Sequence, residues 1–281
     1  MKTQIPTPDD HQELREALRA LCRDFDATYW QKVDHERGYP EAFVDALTSA
    51  GWLAALIPAE YGGSGLGLAE VKKKSEGMSI FLVDLRAAEK SGMTVRPIPN
   101  MVNHETNELF FENLEIPAEN LIGEEGQGFK YILDGLNAER TLIAAECIGD
   151  GYWFIDRVTK YVNERVVFGR PIGQNQGVQF PIADAYIEVE AANLMRFKAC
   201  ELFDAHQPCG AQANMAKYLA AKASWEAANA CLQFHGGFGF ACEYDIERKF
   251  RETRLYQVAP ISTNLIYAYV AEHLLGLPRS F

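Results

Sequence analysis

The chain has 281 residues, of which 48% are hydrophobic and 23% are charged, and its formal net charge is -12. This composition is typical of a globular protein with enough residues for one large domain or two smaller ones. The excess of acidic side chains argues against DNA, RNA or an anionic membrane as the main partner.

The six cysteines form no CxxC pair and lie mostly within helical patterns. They therefore indicate buried thiols rather than disulfides or a metal site. No apolar run reaches the length of a membrane span, and the polar first twelve residues resemble neither a signal peptide nor a presequence. These features predict a cytoplasmic protein.

Two helices and a glycine-rich loop are predicted before the first strands. Apolar residues at spacings of three and four predict an amphipathic helix over residues 9–33, and a second over 40–49. Residues 54–67 are rich in glycine and predict a loop. Short apolar runs then predict strands at residues 79–84, 94–98 and 108–112.

After Gly128 the pattern is helical almost to the end. Helices are predicted at residues 129–167, 179–205, 211–234, 246–255 and 261–275. Three of them are long, and short connections between long amphipathic helices favour an antiparallel bundle. We therefore expect a mainly α fold.

Two helix ends carry groups suited to a phosphate. Arg165 offers a planar fork for bidentate phosphate binding, and Phe168 lies one helical turn away with a flat aromatic face. Gly236 and Gly237 leave room for the backbone to approach a ligand, although a Gly-Gly pair after a helix is also an ordinary C-cap. Together the two segments predict a nucleotide site.

Glu139 interrupts the apolar stripe of the first bundle helix. Ile132, Leu136, Glu139, Ile143 and Cys147 advance by four, three, four and four residues, so this stripe predicts that Glu139 faces the bundle interior. A carboxylate withdrawn from water is suited to accept a proton near neutral pH. The alternative is that Glu139 pairs with a basic residue of a neighbouring helix, and Arg140 has the same two interpretations.

Five segments, taken in order, resemble the acyl-CoA dehydrogenases. They are residues 58–63, 77–83, 116–123, 164–172 and 233–239. The resemblance implies FAD as cofactor, oxidation of an acyl-CoA thioester to a trans-2-enoyl-CoA, and an electron-transfer flavoprotein as electron acceptor. It also implies a helical N-terminal domain, a middle β-domain and a C-terminal four-helix bundle.

The resemblance assigns cofactor residues one by one. Arg165 and Phe168 would contact the ADP part of FAD, with Gln176 nearby. The same ADP would be contacted from another subunit by the second motif, at Gln233, Gly236 and Gly237. The site therefore implies a homodimer or homotetramer. A structural role is expected for His235, because the reaction needs no imidazole.

The catalytic base is expected at Glu139. Many members of the family carry the base near the C-terminus, but the aligned position here is Pro260, which has no basic group. The isovaleryl-CoA and long-chain types instead use a Glu directly before an Arg on the first bundle helix, which matches Glu139 and Arg140. The apolar pattern of the first bundle helix points to the same carboxylate.

The remaining site residues also follow from the resemblance. Asn137 and Arg140 would bind the CoA substrate, and Ser262 and Asn264 would contact the flavin. No residue is expected to bind a metal.

A stretch of the family pattern is missing. In the family, roughly a hundred residues, the size of a small domain, separate the glycine-rich loop from the first matching strand, whereas residues 68–77 join them here. The missing part includes the segments that cradle the flavin ring. We therefore expect a partial helical domain at 1–75, a partial β-domain at 76–125 and the bundle at 126–281. The alternative function is a catalytically inactive helical remnant that oligomerises.

Overall fold

The computed structural model describes residues 12–52, 78–102 and 106–280. The chain divides into two units, residues 1–67 and 68–281, and each is described by itself. The predicted glycine-rich loop lies outside the described residues, as does the junction at residues 68–77.

Residues 12–52 of the first unit form three helices: α1 (Gln12–Arg23), α2 (Ala27–Glu36) and α3 (Glu41–Ser49). The prediction of one helix over residues 9–33 is wrong, because Asp26 starts a new helix. Its side chain accepts a hydrogen bond from the backbone N–H of Tyr29 at 3.1 Å, which is the geometry of an N-cap. The predicted helix at 40–49 is confirmed as α3.

Two small antiparallel sheets open the described part of the second unit. Strand β1 (Ile80–Phe81) pairs with β4 (Leu121–Ile122), and β2 (Met93–Pro97) pairs with β3 (Asn107–Phe111). The predicted strand at 79–84 is shorter because Asp84 caps the short helix α4 (Leu85–Ala88). Several apolar strand residues are exposed, as expected of a partial β-domain: Phe81, Leu109, Phe110, Phe111 and Ile122.

Five helices, the first three of them long, form most of the described remainder of this unit. They are α5 (Gly128–Glu164), α6 (Gln176–Asp204), α7 (Gly210–His235), α8 (Ile246–Leu255) and α9 (Thr263–Tyr269). A hairpin of β5 (Val166–Val167) and β6 (Arg170–Pro171) separates α5 from α6. A π-helical turn, Val270–Leu274, follows α9. The predicted helical bundle is confirmed.

Small side chains let the bundle helices pack closely. Ala213, Ala216, Ala220 and Ala223 of α7 are all buried. Between α5 and α6, a Cβ added at Gly151 would lie 2.6 Å from a methyl group of Val189, so glycine is required there. Helices α5 and α7 run parallel: Asn137 lies near Gly210 at one end, and Tyr161 stacks on His235 at the other.

The cysteine prediction is confirmed only in part. All six thiols are free, and Cys147, Cys209 and Cys231 are buried. Cys22 and Cys242 are exposed, however, because they lie outside the packed faces of the helices. No helix in the described ranges is long and apolar enough to cross a membrane.

A buried ion pair connects α5 to α8. Asp150 is 8% exposed, and its Oδ1 accepts a hydrogen bond from Lys249 Nζ at 2.5 Å. The other carboxylate oxygen, Oδ2, has no hydrogen-bond partner. Burial raises the pKa of Asp150 to about 6, although the Lys249 ammonium opposes this shift.

This raised pKa predicts how stability depends on pH. A carboxyl whose pKa is higher in the folded state contributes stability at low pH and loses it as the pH rises through about 6. We expect the melting temperature of the parent protein, relative to that of the Asp150→Asn variant, to fall between about pH 4 and pH 6. Thermal unfolding across this pH range checks the prediction, and an unchanged slope in the variant would contradict it.

Candidate functional site

An open cleft lies where α5 ends beside the C-terminal end of α7. Its volume is about 460 Å³, which is within the range of ligand pockets. The lining residues are Tyr161, Arg165, Val167, Ile172, Gln233, Phe234, His235, Gly236, Gly237 and Phe238. Both predicted phosphate-binding segments therefore meet in one cleft.

The end of α5 positions Arg165. Its backbone N–H donates to the carbonyl of Tyr161 at 2.8 Å, and its own carbonyl accepts from Ile172 at 2.9 Å. The guanidinium carbon lies 5.9 Å from the ring centroid of Phe238, which is within the range of a cation–π contact. Both ends of the Arg165 backbone are thus fixed beside the cleft.

Two glycines leave the opposite side of the cleft open. Gly236 ends α7 with a φ of 57°, a left-handed conformation that glycine adopts without strain. A Cβ added at Gly236 or Gly237 would meet no atom within 4 Å. The backbone is therefore accessible to a ligand at both positions.

The contacts of His235 are those expected of a structural residue. Its Nδ1 lies 2.7 Å from the carbonyl oxygen of Cys231, and its ring stacks on Tyr161 with centroids 4.0 Å apart. Burial lowers the pKa of His235, so the imidazole is neutral at physiological pH. Both rings of the stacked pair lie among the residues that line the cleft.

Two predicted cofactor residues do not line the cleft. Phe168 lies at the tip of the β5–β6 hairpin with a positive φ of 54°, and its side chain is fully exposed. Gln176 is exposed on the first turn of α6. Neither residue shares the cleft with Arg165 within a single chain, and their expected contact with the ADP part of FAD stays a prediction. Tyr161 and Phe238 were not predicted as cleft residues, although Phe238 lies within the segment 233–239 and Tyr161 lies three residues before the segment 164–172.

The burial predicted for Glu139 is also wrong. Its side chain is exposed, as is that of Ile132 on the same stripe, and the stripe is fully buried only at Cys147. The reason is geometric: Asn137 and Arg140 are three residues apart on one helix face, near α7 and α9. Glu139, which lies between them in sequence, therefore points in another direction.

Arg140 is half-buried where α5, α7 and α9 meet. We call the group of Asn137, Arg140, Gly210 and Tyr269 the Arg140 corner. Its Nη1 donates to the Asn137 Oδ1 at 3.1 Å, while its Nε has no partner. Burial lowers the pKa of Arg140, and electrostatic interactions with Tyr269 and Glu139 partly offset this lowering. A Cβ at Gly210 would lie 3.1 Å from the Tyr269 hydroxyl, so glycine allows this close approach. The sequence analysis had not identified Tyr269.

The two predicted flavin contacts lie at the start of α9. Ser262 is the N-cap of this helix and accepts a hydrogen bond from the Leu265 N–H at 3.4 Å. Asn264 is exposed in the first turn. Both belong to the same helix as Tyr269.

The Arg140 corner and the Arg165 cleft are far apart. Glu139 and Arg165 are separated by 26 residues of continuous α5, or about 39 Å at the usual helical rise. One flavin dinucleotide cannot span that distance. Arg165 and Gln233 of a single chain both line the cleft, and the expectation that they reach the ADP from different subunits stays a prediction. The long separation lies between this cleft and Glu139.

Family comparisons agree with this architecture. A family model described as acyl-CoA dehydrogenase, C-terminal domain, matches residues 126–275, and the corresponding N-terminal domain model matches residues 8–78. The chain belongs to the acyl-CoA dehydrogenase family. The two matches leave residues 79–125, which contain the small sheets, between them.

Curated acyl-CoA dehydrogenase relatives are considerably longer. Acyl-CoA dehydrogenase fadE12 of Mycobacterium bovis is 40% identical over 176 residues, covering 62% of this chain and 45% of that protein. Cyclohex-1-ene-1-carbonyl-CoA dehydrogenase of Syntrophus aciditrophicus is 37% identical over 213 residues, covering 73% and 50%. The chain thus spans about half the length of the relatives it matches.

Solved acyl-CoA dehydrogenase structures share the fold. Glutaryl-coenzyme A dehydrogenase, in its glutaryl-CoA complex, superposes with a TM-score of 0.87 and 22% identity, over 99% of this chain and 98% of that one. Butyryl-CoA dehydrogenase from Megasphaera elsdenii gives a TM-score of 0.85 and 20% identity, over 97% and 100%.

Proposed function

We propose that this chain is an FAD-dependent acyl-CoA dehydrogenase that converts an acyl-CoA thioester to its trans-2-enoyl-CoA. An electron-transfer flavoprotein is its proposed electron acceptor. The observation that carries the proposal is the cleft in which Arg165 faces two open glycines, in a chain of this family. The relatives' names, which include dehydrogenases of acyl-CoA esters, support the substrate class.

The cleft residues fit the ADP end of FAD. Arg165 supplies a charged, planar donor for the pyrophosphate, and the backbone at Gly236 and Gly237 can approach it closely. Gln233 adds an exposed amide beside them. Tyr161, stacked on the buried His235, adds an aromatic ring to the lining.

The position of Glu139 requires a second copy of the chain. Because the base and the ADP cleft lie about 39 Å apart along α5, one dinucleotide would extend from the cleft of one chain to the Arg140 corner of another. The exposed Phe168 and Gln176 would then lie at the boundary between copies. The proposal is therefore a homodimer, or a homotetramer built from such dimers.

In the proposed reaction Glu139 removes the α-proton of the thioester. Its exposed carboxylate is accessible to a substrate and can act as the general base at this step. FAD, when bound, supplies the acceptor for the hydride from the β-carbon. The α-proton is only weakly acidic, so hydrogen bonds must stabilise the charge that develops on the thioester carbonyl.

The neighbours of Glu139 would position the substrate and the flavin. The Arg140 guanidinium has a free Nε donor for the CoA moiety, and the Asn137 amide holds the guanidinium in place. Ser262 and Asn264, at the start of α9, would contact the flavin.

A non-catalytic helical protein is the second candidate. It is favoured by the length of the chain, which is about half that of its relatives, and by the exposed apolar residues of the small sheets. Such a protein would retain the bundle and its oligomeric contacts without binding the flavin ring.

The absorption spectrum of the purified protein separates the two candidates. The proposed function predicts a flavin spectrum close to one FAD per chain and turnover of acyl-CoA with an artificial electron acceptor. A colourless protein that stays colourless and inactive after incubation with FAD would support the non-catalytic candidate instead.

A further inference from the structure

A completely buried lysine lies inside the bundle. Lys217, on α7, is 0% exposed. Its Nζ donates to the backbone carbonyl oxygens of Tyr256 at 2.5 Å and of Ile261 at 2.7 Å. Burial lowers the pKa of Lys217, because an ammonium group loses hydration in the interior.

The two carbonyls that Lys217 contacts mark the ends of one connection. Tyr256 directly follows α8, and Ile261 directly precedes the N-cap of α9. A cation at the C-terminal end of α8 also interacts favourably with the dipole of that helix. Lys217 therefore holds the connection between α8 and α9, residues 256–262, at both ends.

Further hydrogen bonds tie the middle of the connection to α7. The Gln257 side chain donates from Nε2 to the carbonyl of Ala221 at 2.8 Å, one turn beyond Lys217. The Thr263 hydroxyl donates to the carbonyl of Gln257 at 3.2 Å. The connection is thus tied to α7 at several points, and Lys217 supplies the charged contact from that helix.

The position of α9 depends on this connection. Helix α9 follows its N-cap, Ser262, and ends with Tyr269, which lies beside Gly210 and Arg140. A shift of the connection would therefore move α9 relative to the Arg140 corner.

We propose that Lys217 is a positioning residue for the flavin-ring end of the site. It fixes the α8–α9 connection so that Ser262, Asn264 and Tyr269 face the bound flavin and substrate. This inference rests on the proposed function. It assigns no chemical step to Lys217, which contacts neither ligand.

Comparing FAD with ADP tests the inference. ADP needs only the Arg165 cleft, whereas FAD also needs the start of α9. For Lys217→Met we expect the Kd of FAD to rise about tenfold, because two buried carbonyls lose their partner and the connection shifts. The Kd of ADP should stay within about twofold, because the cleft lies at the far end of α7. Lys222→Met, which removes an exposed lysine of the same helix, should change neither value.

A second, milder substitution tests the same inference in case the Lys217→Met variant does not fold. Gln257→Leu keeps the Lys217 ammonium but removes the hydrogen bond from Gln257 to the Ala221 carbonyl. It should therefore also weaken FAD binding more than ADP binding. Amide hydrogen exchange of residues 257–263 should increase in both variants. Equal losses of FAD and ADP affinity, or unchanged FAD affinity in both variants, would overturn the positioning role while leaving the proposed function intact. A parent protein that binds neither ligand would overturn both.

Discussion

Turnover is expected to fall by about a hundredfold or more when Glu139 is replaced by Gln. The substitution preserves the size of an exposed side chain but removes the carboxylate that would accept the α-proton. Pro260, which the resemblance aligns with the other base position, has no basic group to replace it. Steady-state rates with an artificial electron acceptor measure the effect.

Glu146 provides the matched control for Glu139. It lies two turns further along α5 and is the next carboxylate to consider as the base. We expect Glu146→Gln to retain most of the activity. Undiminished turnover in Glu139→Gln, with loss of turnover in Glu146→Gln, would transfer the role to Glu146.

Replacing Arg165 by Ala is expected to weaken FAD and ADP binding alike. Loss of a bidentate charged donor forfeits about 1.5 to 3 kcal/mol, or roughly ten- to a hundredfold in Kd. Isothermal titration with ADP measures the effect without any flavin chemistry.

Arg170 is the control for Arg165, because it is an exposed arginine of the same hairpin whose Nη2 donates to the Asn175 Oδ1 at 2.6 Å. Arg170→Ala should bind ADP like the parent protein. Equal ADP affinity in Arg165→Ala and the parent would mean that Arg165 takes no part in nucleotide binding.

The helices could be predicted from sequence because their signals are local. The predicted segment at 246–255 matches α8, and the long helices differ from prediction by a few residues at their ends. The errors occurred where a single side chain overrides the apolar pattern. Asp26 and Asp84 each cap a new helix and so interrupt a longer predicted element.

The site was harder to predict because its residues come together only through packing. The cleft was anticipated from Arg165 and Gly236, since each motif carries its own chemistry. The roles of Tyr269 and Lys217 depend on how α7 and α9 pack, and no sequence spacing shows this. The apolar stripe also misplaced Glu139, because periodicity gives the relation of residues to one another but not which face meets a neighbouring helix.

The central claim is that each site is shared between two copies of the chain, and hybrid oligomers test it most directly. Chains carrying Glu139→Gln and chains carrying Arg165→Ala are co-expressed with different tags, and the hybrid is purified through both tags. Each variant alone should be nearly inactive. In the hybrid, one site combines the intact Glu139 of one chain with the intact Arg165 of the other, so we predict that turnover returns. A hybrid as inactive as its two parents, beside an active unmodified protein, would contradict the shared site.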